Sequence, residues 1–99
     1  MKYFVSYTTR DEEVTISLLE IFSKKLSNNG KVFIDIIDNN SIDKQLRVIE
    51  ELESSDLVIL IESKSIYQSE WVALEIDKAK SRKIPIRTVP IDEISNFII

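Results

Sequence analysis

The 99-residue sequence predicts an α/β fold: a parallel sheet of four strands, or five, in the order 2-1-3-4, between two layers of helices. Two observations carry this. Strand-like and helix-like patterns alternate along the chain, as in βαβ units joined by right-handed crossovers. Leu57-Val58-Ile59-Leu60-Ile61 is apolar without alternation. Such a strand has no solvent face and belongs in the middle of a sheet covered on both sides. A flavodoxin-like order puts it there, beside the first strand, in a three-layer sandwich. The topological switch point, where open α/β sheets bind ligands, then lies between the C-terminal ends of strands 1 and 3.

The elements follow in order. Tyr3 to Tyr7 is a short β-prone run. Thr9-Arg10-Asp11-Glu12 fits a capping box, in which the Thr hydroxyl takes an orphan amide and Glu12 reaches back. A helix is expected from there to about Ser27, with Val14, Leu18, Leu19, Phe22 and Leu26 spaced as a buried stripe. Asn28-Asn29-Gly30 ends it, Gly30 or Asn29 supplying a left-handed C-cap. Val32 to Ile37 reads as the second strand and Asp38-Asn39-Asn40 as loop. Ser41 can cap a second helix that buries Ile42, Leu46, Ile49 and Leu52. The third strand lies within Asp56 to Glu62, and a loop from Ser63 to Gln68 leads to a third long helix ending near Ser81. Ile84 to Val89 is the fourth strand; Pro85 lacks a donor, so this strand is at an edge or starts there. Pro90 to Ile99 fits a short helix or a tail.

Size and composition bound the function. A chain this short makes one small domain, residues 1–99, with a modest core. The formal charge is 13 − 17 = −4, and residues 31–60 hold three bases against seven acids. Without a basic excess, a nucleic-acid partner is not expected. The acid-rich stretch reads as a solvated helix face. There is no Cys and no His. That excludes a disulfide framework, thiolate chemistry, a Ser-His-Asp arrangement and a structural zinc site. No apolar run approaches membrane-spanning length, and the N-terminal run is too short for a signal peptide, so a cytoplasmic protein is expected.

Chemistry-bearing residues are few. A single Gly cannot build a phosphate-cradling loop. A phospho-receiver site would need an acidic pair after strand 1, where Ser6-Tyr7-Thr8-Thr9 stands instead. What remains is Glu75. With residues advancing about 100° each and Trp71 at zero, Glu75 falls at roughly 40°, Ala79 at roughly 80° and Val72 at about 100°. The acid therefore projects into the apolar arc, where it must be paired, neutralised or used. Two readings are open. Glu75 sits at its helix rim and pairs with Lys78 or Lys64, with Trp71 as core packing. Or it faces a cleft, its pKa raised by desolvation, beside Trp71 one turn earlier. In the second reading it can stabilise or attack an oxocarbenium-like sugar carbon, while Ser6, Thr8 and Thr9 bind ribose hydroxyls or phosphate. Three segments should converge at this site: Ser6 to Thr9, Asp35 to Asn40, and Ser63 to Glu75. Asp35 itself reads as a solvent-facing edge residue, and Tyr3 and Tyr7 as packing.

Phe4-Val5-Ser6-Tyr7-Thr8-Thr9-Arg10-Asp11 resembles the first-strand box of Toll/interleukin receptor (TIR) homology domains. Val58 to Glu75 resembles a later box, in which an apolar strand leads to Tyr67, then Ser69-Glu70-Trp71, then Glu75 four residues on. Lys83-Ile84-Pro85-Ile86 is similar to the fourth-strand segment, so the likeness spans residues 3–89. The resemblance, to the bacterial TIR-like type in a short form, implies a flavodoxin-like sheet. It also implies cleavage of NAD at the nicotinamide–ribose bond, with ADP-ribose or a cyclic isomer as product, often as an antiphage defence signal. Carried over by motif, Glu75 is catalytic, and Ser6, Tyr7, Thr8 and Trp71 line the substrate site. NAD is substrate, and no metal or further cofactor is implied. Residues 38–40 match the family's mobile loop, which serves assembly and gating.

Most members carry a fifth strand and a last helix, for which this chain leaves little room. Its apolar end, Phe97-Ile98-Ile99, suggests a surface for a partner or for self-association. Two further readings therefore stand beside the NAD-cleaving one. One is a non-catalytic protein–protein interaction module, its acidic middle third facing a basic partner. The other is glycosyl transfer of the nucleoside deoxyribosyltransferase kind, which shares the sheet and a Glu at a ribose carbon.

Overall fold

A computed structural model describes residues 1–97. Four strands, β1 (Lys2–Ser6), β2 (Lys31–Phe33), β3 (Leu57–Glu62) and β4 (Ile86–Pro90), form one parallel sheet in the order β2-β1-β3-β4. The order is the expected one, and β3 is central. Alternation explains why. Ile59 and Ile61 face one core with Tyr3 and Val5, while Val58 and Leu60 face the other side with Phe4. Each strand therefore supplies two cores.

Helix α1 (Ile16–Ser27) closes the first core with Leu19, Phe22 and Leu26, all fully buried. Burial of each contributes about 1.5–3 kcal/mol. Helices α3 (Lys44–Glu53) and α4 (Glu70–Ser81) cover the opposite face through Val48, Leu52, Val72 and Ala79. A short helix, α2 (Asp35–Asp38), follows β2. Among the described residues no helix is long and apolar enough to cross a membrane.

Several local expectations are corrected. Helix α1 starts at Ile16, not after Thr9, and its cap is Thr15, which accepts from the Leu18 N–H at 3.1 Å. The segment before it is held instead by long-range contacts of Arg10 and Asp11, which outweigh a local capping box. Strand β2 stops at Phe33, because Asp38 Oδ2 accepts the Ile34 N–H at 2.8 Å and turns the chain into α2. Asp43, not Ser41, caps α3, accepting from the Leu46 N–H at 3.0 Å. Ile42 and Leu46 are exposed and Ile49 is half-buried, since the helix begins late and turns Val48 and Leu52 inward.

Gly30 is required, though not for a left-handed cap. A Cβ there would meet the Met1 carbonyl oxygen at 2.0 Å. The left-handed residue is Lys83 (φ 59°), which ends α4 in a Schellman motif: Ile84 N–H donates to Ala79 and Lys83 N–H to Lys80. Strand β4 starts just after Pro85 at the sheet edge. The C-terminal segment forms a 3₁₀ helix, Ile91–Asn96. Its apolar residues turn inward: Ile94 is fully buried and Phe97 packs edge-on against Phe22 at 5.2 Å. The expected apolar end thus joins the α1 core as far as Phe97, while residues 98 and 99 lie outside the described residues.

Candidate functional site

Strand β1 delivers its last residue, Ser6, to the C-terminal edge of the sheet beside β3. Its hydroxyl donates to Glu75 Oε1 at 2.7 Å, a contact between residues 69 apart in sequence. Glu75 is 6 % exposed. Neither Lys78 nor Lys64 pairs with it among the described residues. Burial pushes its carboxyl up to about 7, against the opposing pull of the Ser6 hydroxyl. The nearby charge of Asp35 raises it further, and the Trp71 indole N–H lowers it.

The position of Glu75 is set by the start of α4. Ser69 caps this helix, accepting the Val72 N–H at 3.2 Å. The loop before it is tied to the loop after β1. Asp11 accepts the Ser65 N–H and the Ser65 hydroxyl, each at 2.8 Å, and the Arg10 guanidinium donates to the Gln68 carbonyl at 3.1 Å. These contacts carry Glu75 to Ser6.

Glu75 and Trp71 open onto a cleft of about 350 Å³. That is within the size range of small-molecule sites. Tyr7, Thr8 and Thr9 line it from the β1 end, Asp35 and Ile36 from α2, and Lys44 from the start of α3. The three expected segments do converge here. Tyr7 is fixed by its phenol oxygen, which accepts the Ile36 N–H at 3.0 Å. Burial pushes its phenol up to about 12, so it stays protonated and can donate into the cleft. Thr8 is buried and its Oγ1 accepts the Arg10 N–H at 3.3 Å, while Thr9 is exposed. Trp71 is 37 % exposed and forms part of the wall rather than the core. Ser6 is buried behind Glu75 and orients it.

A family model described as "Thoeris protein ThsB, TIR-like domain" matches residues 4–96. The chain belongs to this family of TIR-like domains. A comparison with curated proteins returned no match.

Four cleft residues of this TIR-like domain carry no individual site signal in its sequence: Val5, Lys44, and Asp35 and Ile36 from the expected segment Asp35 to Asn40. Asp35 reads as a strand residue because Val32 to Ile37 is β-prone. The signal that places it elsewhere is Asn39, four residues on, whose Nδ2 donates to Asp35 Oδ1 at 2.6 Å. Lys44 has no local signal; it reaches the cleft only because α3 begins there. Among the described residues no cluster of three His, Cys, Asp or Glu side chains is arranged to hold a metal ion.

Proposed function

We propose that this TIR-like domain cleaves NAD at the nicotinamide–ribose bond, with Glu75 as the catalytic residue, in cytoplasmic signalling of the antiphage defence kind. One observation carries the reading: a buried carboxylate, held by the Ser6 hydroxyl at 2.7 Å, forms part of a cleft large enough for a nucleoside. In the reaction the C–N bond breaks and its electron pair leaves with the ring nitrogen as neutral nicotinamide. The ribose carbon gains oxocarbenium character. Ionised Glu75 stabilises that carbon or attacks it, and water or an atom of the ADP-ribose moiety completes the exchange. Trp71 supplies a wall, and Ser6 keeps one carboxylate oxygen fixed so that the other faces the sugar. Tyr7 and Thr8, which line the same cleft, would bind the ribose hydroxyls. No further cofactor is needed.

The test is nicotinamide release from NAD, followed chromatographically across pH. The wild-type domain should release it with a rate that rises through the titration of Glu75. Glu75→Gln should lower the rate by about a thousandfold with an unchanged circular dichroism spectrum. Release by Glu75→Gln at the wild-type rate removes Glu75 from the chemistry. Base release from nucleosides rather than nicotinamide from NAD would mark the glycosyl-transfer alternative.

A second reading, homotypic or partner assembly, is favoured by the apolar side chains left in solvent. Ile36, Leu46 and Leu74 are about half exposed and Ile42 is wholly so. A wild-type domain that releases no nicotinamide but assembles with rising concentration would establish this role alone.

A further inference from the structure

We propose that Lys44 is the anion-binding residue of the cleft and takes the diphosphate of a dinucleotide substrate. The choice of occupant rests on the NAD-cleaving reading; the placement of the charge does not. Of the side chains lining the cleft, Lys44 is the cation, against the carboxylates of Asp35 and Glu75. It forms no salt bridge among the described residues, although it lies in the most acidic third of the chain. Its ammonium is therefore available to a ligand.

Its place on the rim is built rather than incidental. Asn39 is 6 % exposed, an unusual burial for a loop amide. Its Nδ2 donates to the Lys44 carbonyl at 3.0 Å and to Asp35 Oδ1 at 2.6 Å, and its Oδ1 accepts the Ser41 N–H at 3.2 Å. One buried amide thus fixes the backbone of the cation and the side chain of the second acid. The end of α3 is not itself the site, since Asp43 already occupies it by accepting the Leu46 N–H. The ligating group is the ammonium, with the exposed Thr9 hydroxyl beside the same cleft.

The charge pattern matches the substrate. An oxidised nicotinamide dinucleotide is cationic at the ring and anionic at the diphosphate. The cleft offers carboxylates from Glu75 and Asp35, and a cation on the start of α3. With the ribose carbon at Glu75, the diphosphate extends toward Lys44. A point-charge ammonium suits a phosphate held in a partly open site.

ADP serves as the probe, because it carries the diphosphate and lacks the scissile bond. Its binding is measured by amide NMR titration of the full chain and of Lys44→Ala, Lys44→Arg and Lys80→Ala. Lys80 lies in a separate groove between α4 and β4. ADP affinity should fall about tenfold in Lys44→Ala, be largely kept in Lys44→Arg, and stay unchanged in Lys80→Ala. In turnover, the preference for NAD over nicotinamide riboside, which lacks phosphate, should fall by a similar factor in Lys44→Ala, expressed in KM. No ADP binding by the wild-type chain, or equal affinity in Lys44→Ala, overturns the proposal whether or not nicotinamide is released. Lys44-dependent ADP binding without any nicotinamide release overturns the NAD-cleaving reading and leaves the anion site standing.

Discussion

Asp11 and Glu75 are both buried carboxylates at the C-terminal end of the sheet, 9 % and 6 % exposed, yet their surroundings drive them in opposite directions. Asp11 lies shallow in the fold, facing hydrogen-bond donors. The Ser63 hydroxyl faces it, without a hydrogen bond of good geometry, and the Ser65 N–H and hydroxyl both donate to it. Together they hold its carboxyl below the ordinary carboxylate range. Glu75 lies deeper, with Ser6 Oγ as its hydrogen-bonded partner and a second acid close by, and burial pushes it up to about 7. The difference teaches what each residue is for. Donors aimed at a charge make a structural latch; burial with few donors makes a group poised to change its charge or meet a cation.

The strongest way to break this comparison is to measure stability against pH. The native Glu75 binds its proton more tightly than the unfolded chain does. Its contribution is therefore full below about pH 4.5 and is lost as pH rises to about 7, then stays flat. The raised value corresponds to about 3 kcal/mol. Urea unfolding at pH 4.5 and pH 8 should show Glu75→Gln gaining about that much relative to wild type at the higher pH. A difference between the two chains that does not change with pH would mean that Glu75 is not desolvated.

Asp11 should behave with the opposite sign and a smaller effect. Its native carboxyl is held low, so its contribution is present above the unfolded value and lost as pH falls through the native one. Asp11→Asn should lower the melting temperature at pH 7 and converge with wild type in acid. Because the latch carries the loop before α4, the same variant should also weaken Glu75-dependent turnover. A melting curve unchanged at pH 7 would show that the Ser65 contacts hold nothing.

The smallest effect sharpens the picture at Glu75 itself. Asp35 raises the Glu75 carboxyl through its charge, as the lesser cause after burial. Asp35→Asn should move the Glu75 carboxyl resonance to a lower titration midpoint in ¹³C NMR, but not to that of a free glutamate. A midpoint that does not move would show that the two acids are too far apart to interact.

The sequence determined the sheet order, since β3 holds the longest unbroken apolar run, Leu57 to Ile61, and only the middle of a covered sheet accepts such a strand. Helical spacing also put Glu75 in the arc of Val72 and Ala79, but left a paired rim position open; its burial is a fact of the tertiary structure. Local start and stop signals were less reliable. Thr9 and Ser41 look like caps, but Thr15 and Asp43 serve, because a capping bond contributes only about 1 kcal/mol and tertiary contacts outweigh it. Only the tertiary structure decided that Ser6, rather than a lysine, is the partner of Glu75, and that Asp35 and Lys44 share the cleft with it. Those relations join distant residues through strand pairing, the Asp11 latch and the Asn39 amide. Periodicity along a chain records which face a residue takes, not which distant residue faces it.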